Sequence, residues 1–319
     1  MDYMGLRKAH KQFIDYLQST CMLSEATLRN HRNIFELLLR RYPRLTPDMI
    51  DVDLMTEYFR WLGTRQRKVG RDSHATGIKK GTVATYWKKL DRFFAWLCAK
   101  RILTANPLRA EGMQCPRVYY EDKQFLDRPD MEKIMSALSF KIRWKNALLK
   151  TRNLAIISVA ANCGLRRGEL LALQLSDINL VNNEIKVQGA TSKSRSSRTI
   201  PLNSRVRRDL EAYIKERERA AHKTEFLWIS DRYDGRLTVD GLRRVVSIVA
   251  EKADVKFHLH QLRHTFAVNF LHNSGLNSFK LQRLLGHRSI VSTAIYTRCL
   301  PVKTVRADVE RLGDLENTL

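Results

Sequence analysis

Residues 154–170 read LAIISVAANCGLRRGEL, and this stretch sets the interpretation of the second half of the chain. From Leu154 to Cys163 the residues are almost all apolar, which predicts a buried helix. Gly164 closes the apolar run, and a charged segment follows at once. We therefore expect Arg166 to lie where a buried helix meets a cleft.

The composition predicts two basic domains. The chain has 319 residues, which is long for one hydrophobic core, and 44% of them are hydrophobic. Lysine and arginine number 57 against 33 aspartates and glutamates, a formal charge of +24. Residues 1–123 carry 23 basic and 13 acidic residues, and residues 124–319 carry 34 and 20. Two basic lobes suit a polyanion held between them, and nucleic acid is favoured over a membrane or a general solubility device.

Other features argue against several classes of protein. No apolar run approaches the roughly 20 residues that span a bilayer. The first five residues lack the basic-then-apolar pattern of a signal peptide, so we expect a cytoplasmic protein with no membrane partner. The five cysteines are scattered and never form a C-x-x-C pair. That favours reduced thiols over a disulfide scaffold or a cysteine zinc site.

The first part of the chain, residues 1–110, is predicted to be helical. Thr46 and Pro47 are expected to begin one of its helices. A basic, glycine-containing loop at residues 65–71 is predicted to face DNA, although an ordinary solvated loop is the alternative. The candidate DNA contacts in this domain are Arg65, Arg67, Lys68, Lys79, Lys80, Lys88 and Arg92.

The second domain is predicted to be mainly helical with a small antiparallel sheet. Residues 111–123 show little periodicity and are interpreted as an interdomain linker, so the second domain covers residues 124–319. Two strand-like segments, residues 184–188 and 198–202, are joined by a polar loop, and residues 226–229 are expected to complete the sheet.

Three short motifs in this domain resemble those of one protein family. The sequence GLRRGEL at residues 164–170 resembles the first arginine box of the tyrosine recombinases, also called the phage integrase family. HQLRH at residues 260–264 is similar to its H-x-x-R box. LGH at residues 285–287, with Tyr296 nine residues after the histidine, is similar to its last box. The resemblance implies a helical core-binding domain followed by a mixed catalytic domain that recombines DNA.

The chemistry of this family explains the residue types. When a phosphodiester is attacked, negative charge builds on its non-bridging oxygens, and the sequence shows no metal-binding box to stabilise it. Guanidinium groups offer planar donor forks to phosphate, so Arg166 and Arg263 are assigned to the scissile phosphate. Tyr296 is assigned as the nucleophile, and the resemblance implies a 3′-phosphotyrosine link with no cofactor.

Histidines and a glutamate complete the predicted site. His260 is the candidate general base, and His287 is expected to donate a hydrogen bond to the phosphate. His264 is expected to support its helix from four residues beyond His260. Glu169 braces the site by resemblance, with an ordinary helix-surface acid as the alternative. A metal site at the closely spaced histidines is disfavoured, because no acidic or cysteine ligand accompanies them.

The family's hairpin lysine falls eight residues before a proline, which here selects Lys193 before Pro201. By resemblance Lys193 protonates the leaving 5′-oxygen. Lys186, Arg195 and Arg198 lie nearby in the sequence and remain alternatives for this role.

The end of the chain carries a further helical pattern at residues 301–315. Apolar residues recur there at spacings of three and four, beginning with Val302 and Val305. The helix could pack on its own domain. By resemblance we favour exchange with a neighbouring protomer, within a homotetramer on DNA.

The sequence therefore predicts a site-specific recombinase that acts on double-stranded DNA carrying specific recombination sites. Integration or excision of a mobile element is the favoured role, and chromosome-dimer resolution of the Xer type is the alternative. A type IB topoisomerase, which shares the chemistry, is a further alternative. A DNA-binding protein that has lost its catalytic activity is the alternative that is not an enzyme.

Overall fold

The protein is described by a computed structural model that covers residues 3–69, 73–118, 125–189, 196–231 and 233–297. The chain divides into two compact units between residues 120 and 121. Each unit has a hydrophobic core of its own. The mainly helical fold with a small antiparallel sheet that the sequence predicts is confirmed.

The described part of the first unit contains four helices whose apolar faces share one core. Each helix repeats apolar residues every three or four positions, which places them on one face. Aromatic rings fill the centre, where the ring of Phe93 contacts those of Phe13 and Phe35. The elements are α1 (Tyr3–Ser19), α2 (Glu25–Arg41), a 3₁₀ turn (Pro47–Met49), α3 (Val52–Thr64), β1 (Gln66–Val69), β2 (Ser73–Thr76), α4 (Lys80–Ala99) and a 3₁₀ turn (Pro107–Arg109).

The helix start expected at Thr46 and Pro47 is only a single 3₁₀ turn. The next helix begins after Asp51, whose side chain accepts a hydrogen bond from the Leu54 amide at 2.8 Å. A carboxylate at the N-cap satisfies an amide that has no partner within the helix, whereas the side chain of Thr46 makes no such bond. The cap therefore decides where α3 begins.

The basic segment at residues 65–71 does not form the simple loop that we predicted. Residues 66–69 are strand β1, which pairs with β2 in an antiparallel hairpin with Gln66 opposite Thr76. The strands are short and largely polar, so they lack the alternation of apolar and polar residues that marks a half-buried strand. The hairpin was therefore missed from sequence.

Gly77 holds the base of this hairpin against α3. Its amide donates to the Arg65 carbonyl at 2.8 Å, and its own carbonyl accepts from Nε of Arg67 at 2.7 Å. The φ of Gly77 is +65°, and a Cβ at this position would lie 2.2 Å from the carbonyl oxygen of Gly63. Both the backbone angle and the close approach require glycine.

The second unit surrounds the buried helix that the sequence predicts. This helix, α6, buries almost every residue between Ala155 and Cys163 and packs against α8 and α10. The first helix of this unit begins after Asp127, whose side chain accepts a hydrogen bond from the Asp130 amide at 2.8 Å. The elements are α5 (Arg128–Ser136), a π-helical turn (Ala137–Lys141), α6 (Ala147–Cys163), α7 (Arg167–Ala172), a 3₁₀ turn (Leu175–Asp177), β3 (Ile178–Asn179), β4 (Glu184–Val187), β5 (Arg198–Pro201), α8 (Ser204–Arg219), α9 (Val239–Ala253), α10 (Leu259–Asn273), α11 (Ser278–Leu285) and α12 (Val291–Ala294).

The small sheet forms from the two predicted strands and a different third one. Its order is β3-β4-β5, all antiparallel, with Ile185 of β4 opposite Ile178 and Ile200. Residues 226–229, predicted as the third strand, make only isolated bridges to Gln174 and Arg236. That prediction was wrong.

Residues 226–229 are apolar because most of them pack inside the hydrophobic core of the second unit. Trp228 is fully buried, and its indole nitrogen donates to the Leu170 carbonyl at 2.8 Å. The amide of Leu227 donates to Leu173, and its carbonyl accepts from the hydroxyl of Tyr213. These polar groups find partners outside the sheet, so the segment does not need to lie beside β5.

No helix in the described ranges combines the length and apolar character needed to cross a membrane.

We predict that Gly77→Ala lowers the free energy of unfolding of the first unit by about 2 kcal/mol or more. The alanine would be strained in the left-handed backbone conformation, and its Cβ would also overlap the backbone of α3. Hydrogen exchange of α3 peptides across a urea series would measure this change. Gly112→Ala is the matched control, since Gly112 has φ +80° with nothing within 4 Å of a Cβ. Equal losses for the two variants would contradict the packing argument.

We also predict that the first unit loses stability as the pH falls below about 6.5. Burial, together with the nearby charges of His31 and Arg32, lowers the pKa of His10 to about 3. Burial, together with the nearby charges of Lys89 and Arg92, lowers the pKa of His31 to about 4. The unfolded chain therefore binds more protons below pH 6.5, and each histidine costs about 1.4 kcal/mol per pH unit between its two pKa values.

Replacing one of the two histidines tests this pH dependence. His31→Leu should lessen the dependence of urea stability on pH between 6.5 and 4.5, because the variant no longer has this titrating group. The substitution breaks no hydrogen bond of Nε2, which has no partner among the described residues. An unchanged slope in this variant would show that other groups cause the acid sensitivity.

Candidate active site

Helix α6 delivers Arg166 to the start of α7. The helix ends at Gly164, which has φ +60° and where a Cβ would lie 2.3 Å from the ring of Phe266. Arg166 is the N-cap residue of α7, and its amide donates to Oε2 of Glu169 at 2.9 Å. A quarter of its side chain (25%) stays exposed, so the guanidinium borders solvent at the end of the buried helix.

The carboxylate of Glu169 is shared by three arginines and is 1% exposed. Arg198 donates to both of its oxygens, from Nη2 at 2.8 Å and from Nη1 at 3.2 Å. Arg166 donates from Nη1 to Oε1 at 2.8 Å, and Nη1 of Arg263 lies 4.0 Å from Oε2. Burial alone would raise the pKa of Glu169, but the hydrogen bonds from Arg198 and the Arg166 amide outweigh it and lower the pKa to about 2. Glu169 is thus an ionised anchor of the site rather than a helix-surface acid.

The same three arginines meet the carboxyl end of α11. The last carbonyls of a helix have no partners within it and lie at the negative end of its dipole, so they attract donors that carry positive charge. Three consecutive carbonyls each receive a different arginine. The contacts are Arg198 Nε to Leu284 (2.7 Å), Arg263 Nη2 to Leu285 (3.0 Å) and Arg166 Nη2 to Gly286 (3.2 Å).

Arg263 and His287 contact each other next to this helix end. Nη2 of Arg263 lies 2.9 Å from Nε2 of His287, and Nδ1 of His287 lies 2.9 Å from the hydroxyl of Thr293. A guanidinium can only donate, so Nε2 accepts and the proton of a neutral His287 is on Nδ1. Both ring nitrogens are therefore used by protein groups here, and a hydrogen bond to phosphate requires this pairing to rearrange.

Arg263 is a buried cation. Its side chain is 2% exposed, and Nη1 donates to the carbonyl of Gly164. Burial, and then the neighbouring Arg166 charge, lower the pKa of Arg263 to about 10. The guanidinium therefore stays charged at neutral pH.

Tyr296 lies beside this cluster with its side chain in the protein interior. The residue is 2% exposed and packs with apolar residues of α10 and α11. Its hydroxyl lies 3.1 Å from Nδ1 of His264, and its ring is nearly parallel to that of His287 at a centroid distance of 6.4 Å. From this position the hydroxyl of Tyr296 cannot reach a phosphodiester in solvent unless the side chain moves outward.

The three histidines around residue 260 have different surroundings. Nδ1 of His258 caps α10 by accepting from the Gln261 amide at 3.1 Å. His260 is exposed, and its ring lies 4.3 Å from that of His264. His264, expected only to support its helix, instead contacts the hydroxyl of Tyr296. Within the described ranges, no group of three or more His, Cys, Asp and Glu side chains is arranged to hold a metal ion.

Arg198 belongs to this cluster, although from the sequence we named it only as an alternative to Lys193. A signal was present: strands alternate faces, so Arg198 points the same way as Ile200, which is buried. An arginine at an inward position needs a carboxylate partner. Lys193 and the helix predicted at residues 301–315 lie outside the described residues.

The residues of the first unit that we assigned to DNA contact differ in their solvent exposure and in their contacts with the protein. Arg67 is tied to Gly77, and the guanidinium of Arg65 lies over the ring of Trp61 at 5.1 Å. Nη2 of Arg92 donates to the sulfur of Cys21 at 3.2 Å. The exposed members of the set are Lys68, Lys79, Lys80, Lys88 and Arg92.

The chain is similar to known proteins over most of its length. The model of the phage integrase family matches residues 124–301, and that of the phage integrase SAM-like domain matches residues 11–113. The tyrosine recombinase XerC of Vibrio vulnificus is 27% identical over 303 residues, 92% of this chain and 87% of the relative. XerC of Actinobacillus succinogenes is 28% identical over 302 residues, 92% of both chains.

Solved structures share the fold at lower sequence identity. The integrase of transposon Tn1549, in complex with transposon right-end DNA, matches with a TM-score of 0.74 and 18% identity over 96% of this chain and 98% of that one. A lambda integrase dimer bound to a core site matches with a TM-score of 0.67 and 18% identity over 93% and 95%. These likenesses show the fold alone. The family match covers more than half of the chain, which therefore belongs to the phage integrase family and is a tyrosine site-specific recombinase.

Proposed function

We propose that this recombinase cleaves and rejoins double-stranded DNA at specific recombination sites, with Tyr296 as the nucleophile. The observation that supports the proposal is the convergence of Arg166, Arg263, His287 and Tyr296 at the end of α11. The tyrosine oxygen attacks a backbone phosphorus, a 3′-phosphotyrosine ester forms, and the 5′-oxygen leaves with a proton. Attack by a 5′-hydroxyl reverses these steps, so rejoining needs neither ATP nor a ligase.

Charge balance favours phosphate as the group that binds in this site. Three guanidiniums face one carboxylate, so positive charge is in excess. Arg166 and Arg263 are assigned to the scissile phosphate. Their donors can follow the charge that grows on its oxygens in the transition state, where fixed cations act most strongly.

Proton transfer is assigned to groups on the rim of the site. His260 is exposed and lines the same cleft as Arg166, so it can take the proton of Tyr296 once the tyrosine has moved outward. His264 holds the tyrosine hydroxyl in the resting position. The assignment of Lys193 to the leaving 5′-oxygen rests on the family resemblance.

DNA is the proposed partner of both units. The exposed lysines of the first unit supply cations for backbone phosphates. The Tn1549 and lambda integrases were solved with DNA, which supports the same partner here. We propose that residues 1–110 form the core-binding domain, and that residues 301–315 link protomers of a tetramer on DNA.

For the biological role we favour integration or excision of a mobile element. The basis is the basic segment at residues 65–71, which includes strand β1. The XerC relatives, which align with 92% of the chain, favour chromosome-dimer resolution as a second candidate. A cytoplasmic location follows from either role as an expectation.

We predict that wild-type protein forms a denaturant-resistant adduct with nicked duplex DNA and that Tyr296→Phe forms none. A nick next to the scissile phosphate lets the cleaved end diffuse away, so a covalent intermediate accumulates. A pool of nicked duplexes with randomised arms is the probe, and the adducted strands are sequenced. Adducts in the Phe variant, at another tyrosine, would contradict the assignment.

The selected sequence also separates the biological roles. A site at both ends of an element that carries this gene supports integration or excision, whereas a single chromosomal site supports dimer resolution. Relaxation of supercoiled DNA without recombination between two such sites would point to a topoisomerase.

We further predict that Arg263→Lys slows adduct formation by about 100-fold, as expected when one transition-state donor is lost. A lysine cannot reproduce the fork that contacts Leu285 and His287. DNA affinity, measured by fluorescence anisotropy on the selected duplex, should change little, because many other cations contribute to it. Arg219→Lys, at an exposed arginine of α8, is the matched control, and a rate equal to that control would contradict the role of Arg263.

A further inference from the structure

We propose that Arg198 is a positioning residue for the reaction. It neutralises Glu169 and thereby leaves the charges of Arg166 and Arg263 available to the scissile phosphate. The inference rests on the proposed function, because it concerns the same phosphate site. In this account Arg198 never contacts DNA, and acts only through Glu169 and the end of α11.

The first argument is the geometry of the shared carboxylate. Of the three arginines, Arg198 alone donates to both oxygens of Glu169 through its side chain, at 2.8 and 3.2 Å. Arg166 makes one such bond, and Arg263 stays 4.0 Å away. A paired, two-donor contact is the strongest form of an arginine–carboxylate interaction, so Arg198 is the principal counter-charge of Glu169 among the three described arginines.

The second argument is burial. The side chain of Arg198 is 7% exposed, against 25% for Arg166, which borders the cleft. Arg166 therefore offers more of its side chain to a phosphate in solvent than Arg198 does.

The third argument is competition for one buried anion. Without Arg198, the carboxylate of Glu169 would remain buried, and its cationic neighbours among the described residues would be Arg166 and Arg263. A buried charge that loses its partner draws in whatever counter-charge lies within reach. Those two guanidiniums would then neutralise Glu169 and would no longer offer their full charge to phosphate.

Arg198 also fixes the segment that carries His287. Its Nε donates to the carbonyl of Leu284 at 2.7 Å, which ties strand β5 to the end of α11. Gly286 packs directly on the guanidinium, since a Cβ there would lie 3.0 Å from Nη1. The residue that follows is His287, so one side chain positions both the carboxylate and the histidine.

Removing the arginine and the carboxylate in turn tests the competition. Single-turnover adduct formation is measured on the selected nicked duplex for wild type, Arg198→Met, Arg198→Lys, Glu169→Gln and the double variant Glu169→Gln/Arg198→Met. We expect Arg198→Met to react about 100-fold more slowly with DNA affinity nearly unchanged. The double variant should react about 10-fold faster than Arg198→Met, because the competing carboxylate is gone. Arg198→Lys should keep most of the rate, because the positive charge remains.

The matched control is the exposed pair Arg128 and Glu132 on α5, whose side chains are 2.9 Å apart and 89% and 65% exposed. Arg128→Met, alone and with Glu132→Gln, repeats the same changes of charge and should leave the rate unchanged. Circular dichroism melts identify any variant that fails to fold, and Arg198→Lys then carries the test.

Several outcomes would overturn the inference. A double variant that is as slow as Arg198→Met, or slower, would mean that Arg198 serves the fold alone. Equal rates for Arg198→Met and wild type would show that Glu169 needs no counter-charge from β5. If wild type itself forms no adduct, the proposed function has failed instead, and the two failures are distinguishable.

Discussion

The site depends on three arginines sharing one buried carboxylate and one helix end. Arg166, Arg198 and Arg263 would repel each other if they were brought together without compensation. Glu169 supplies one negative charge, and the last carbonyls of α11 supply partial ones. The compensation is incomplete, and this is what makes the cluster useful. An excess of positive charge remains at the cleft, where a phosphate can neutralise it.

The proposed nucleophile is held separately from this charge. Tyr296 is 2% exposed, packs among apolar residues and directs its hydroxyl to His264. If Tyr296 is the nucleophile, keeping its phenol away from solvent limits unwanted attack on DNA. The outward movement that the proposed reaction needs would break the hydrogen bond to His264. In the proposed tetramer on DNA, the binding energy of the assembled complex is the natural source for that cost.

Much of this site was predicted from the resemblance to the tyrosine recombinases, whose motifs place functional residues at short spacings. Arg166 and Glu169 share one turn of α7, and Arg263 and His264 follow each other on α10. Contacts between distant segments could not be predicted in the same way. Arg198 is 29 residues from its carboxylate partner, and only the alternation within β5 places it inward. The fold shows the same limit. The buried helix α6 has a long apolar run that is easily identified. Residues 226–229 form a short apolar segment, and the same composition would suit either a strand or an irregular segment packed in the core.

The account is tested most directly by a crystal structure of the Tyr296→Phe variant bound to its selected duplex. We expect Arg166 and Arg263 to contact non-bridging oxygens of one phosphate at about 2.7–2.9 Å. Arg198 should remain on both oxygens of Glu169, with His287 turned from Arg263 toward the phosphate. A structure in which Arg198 binds the phosphate, or in which Arg166 and Arg263 stay on Glu169, would contradict the shared-carboxylate account.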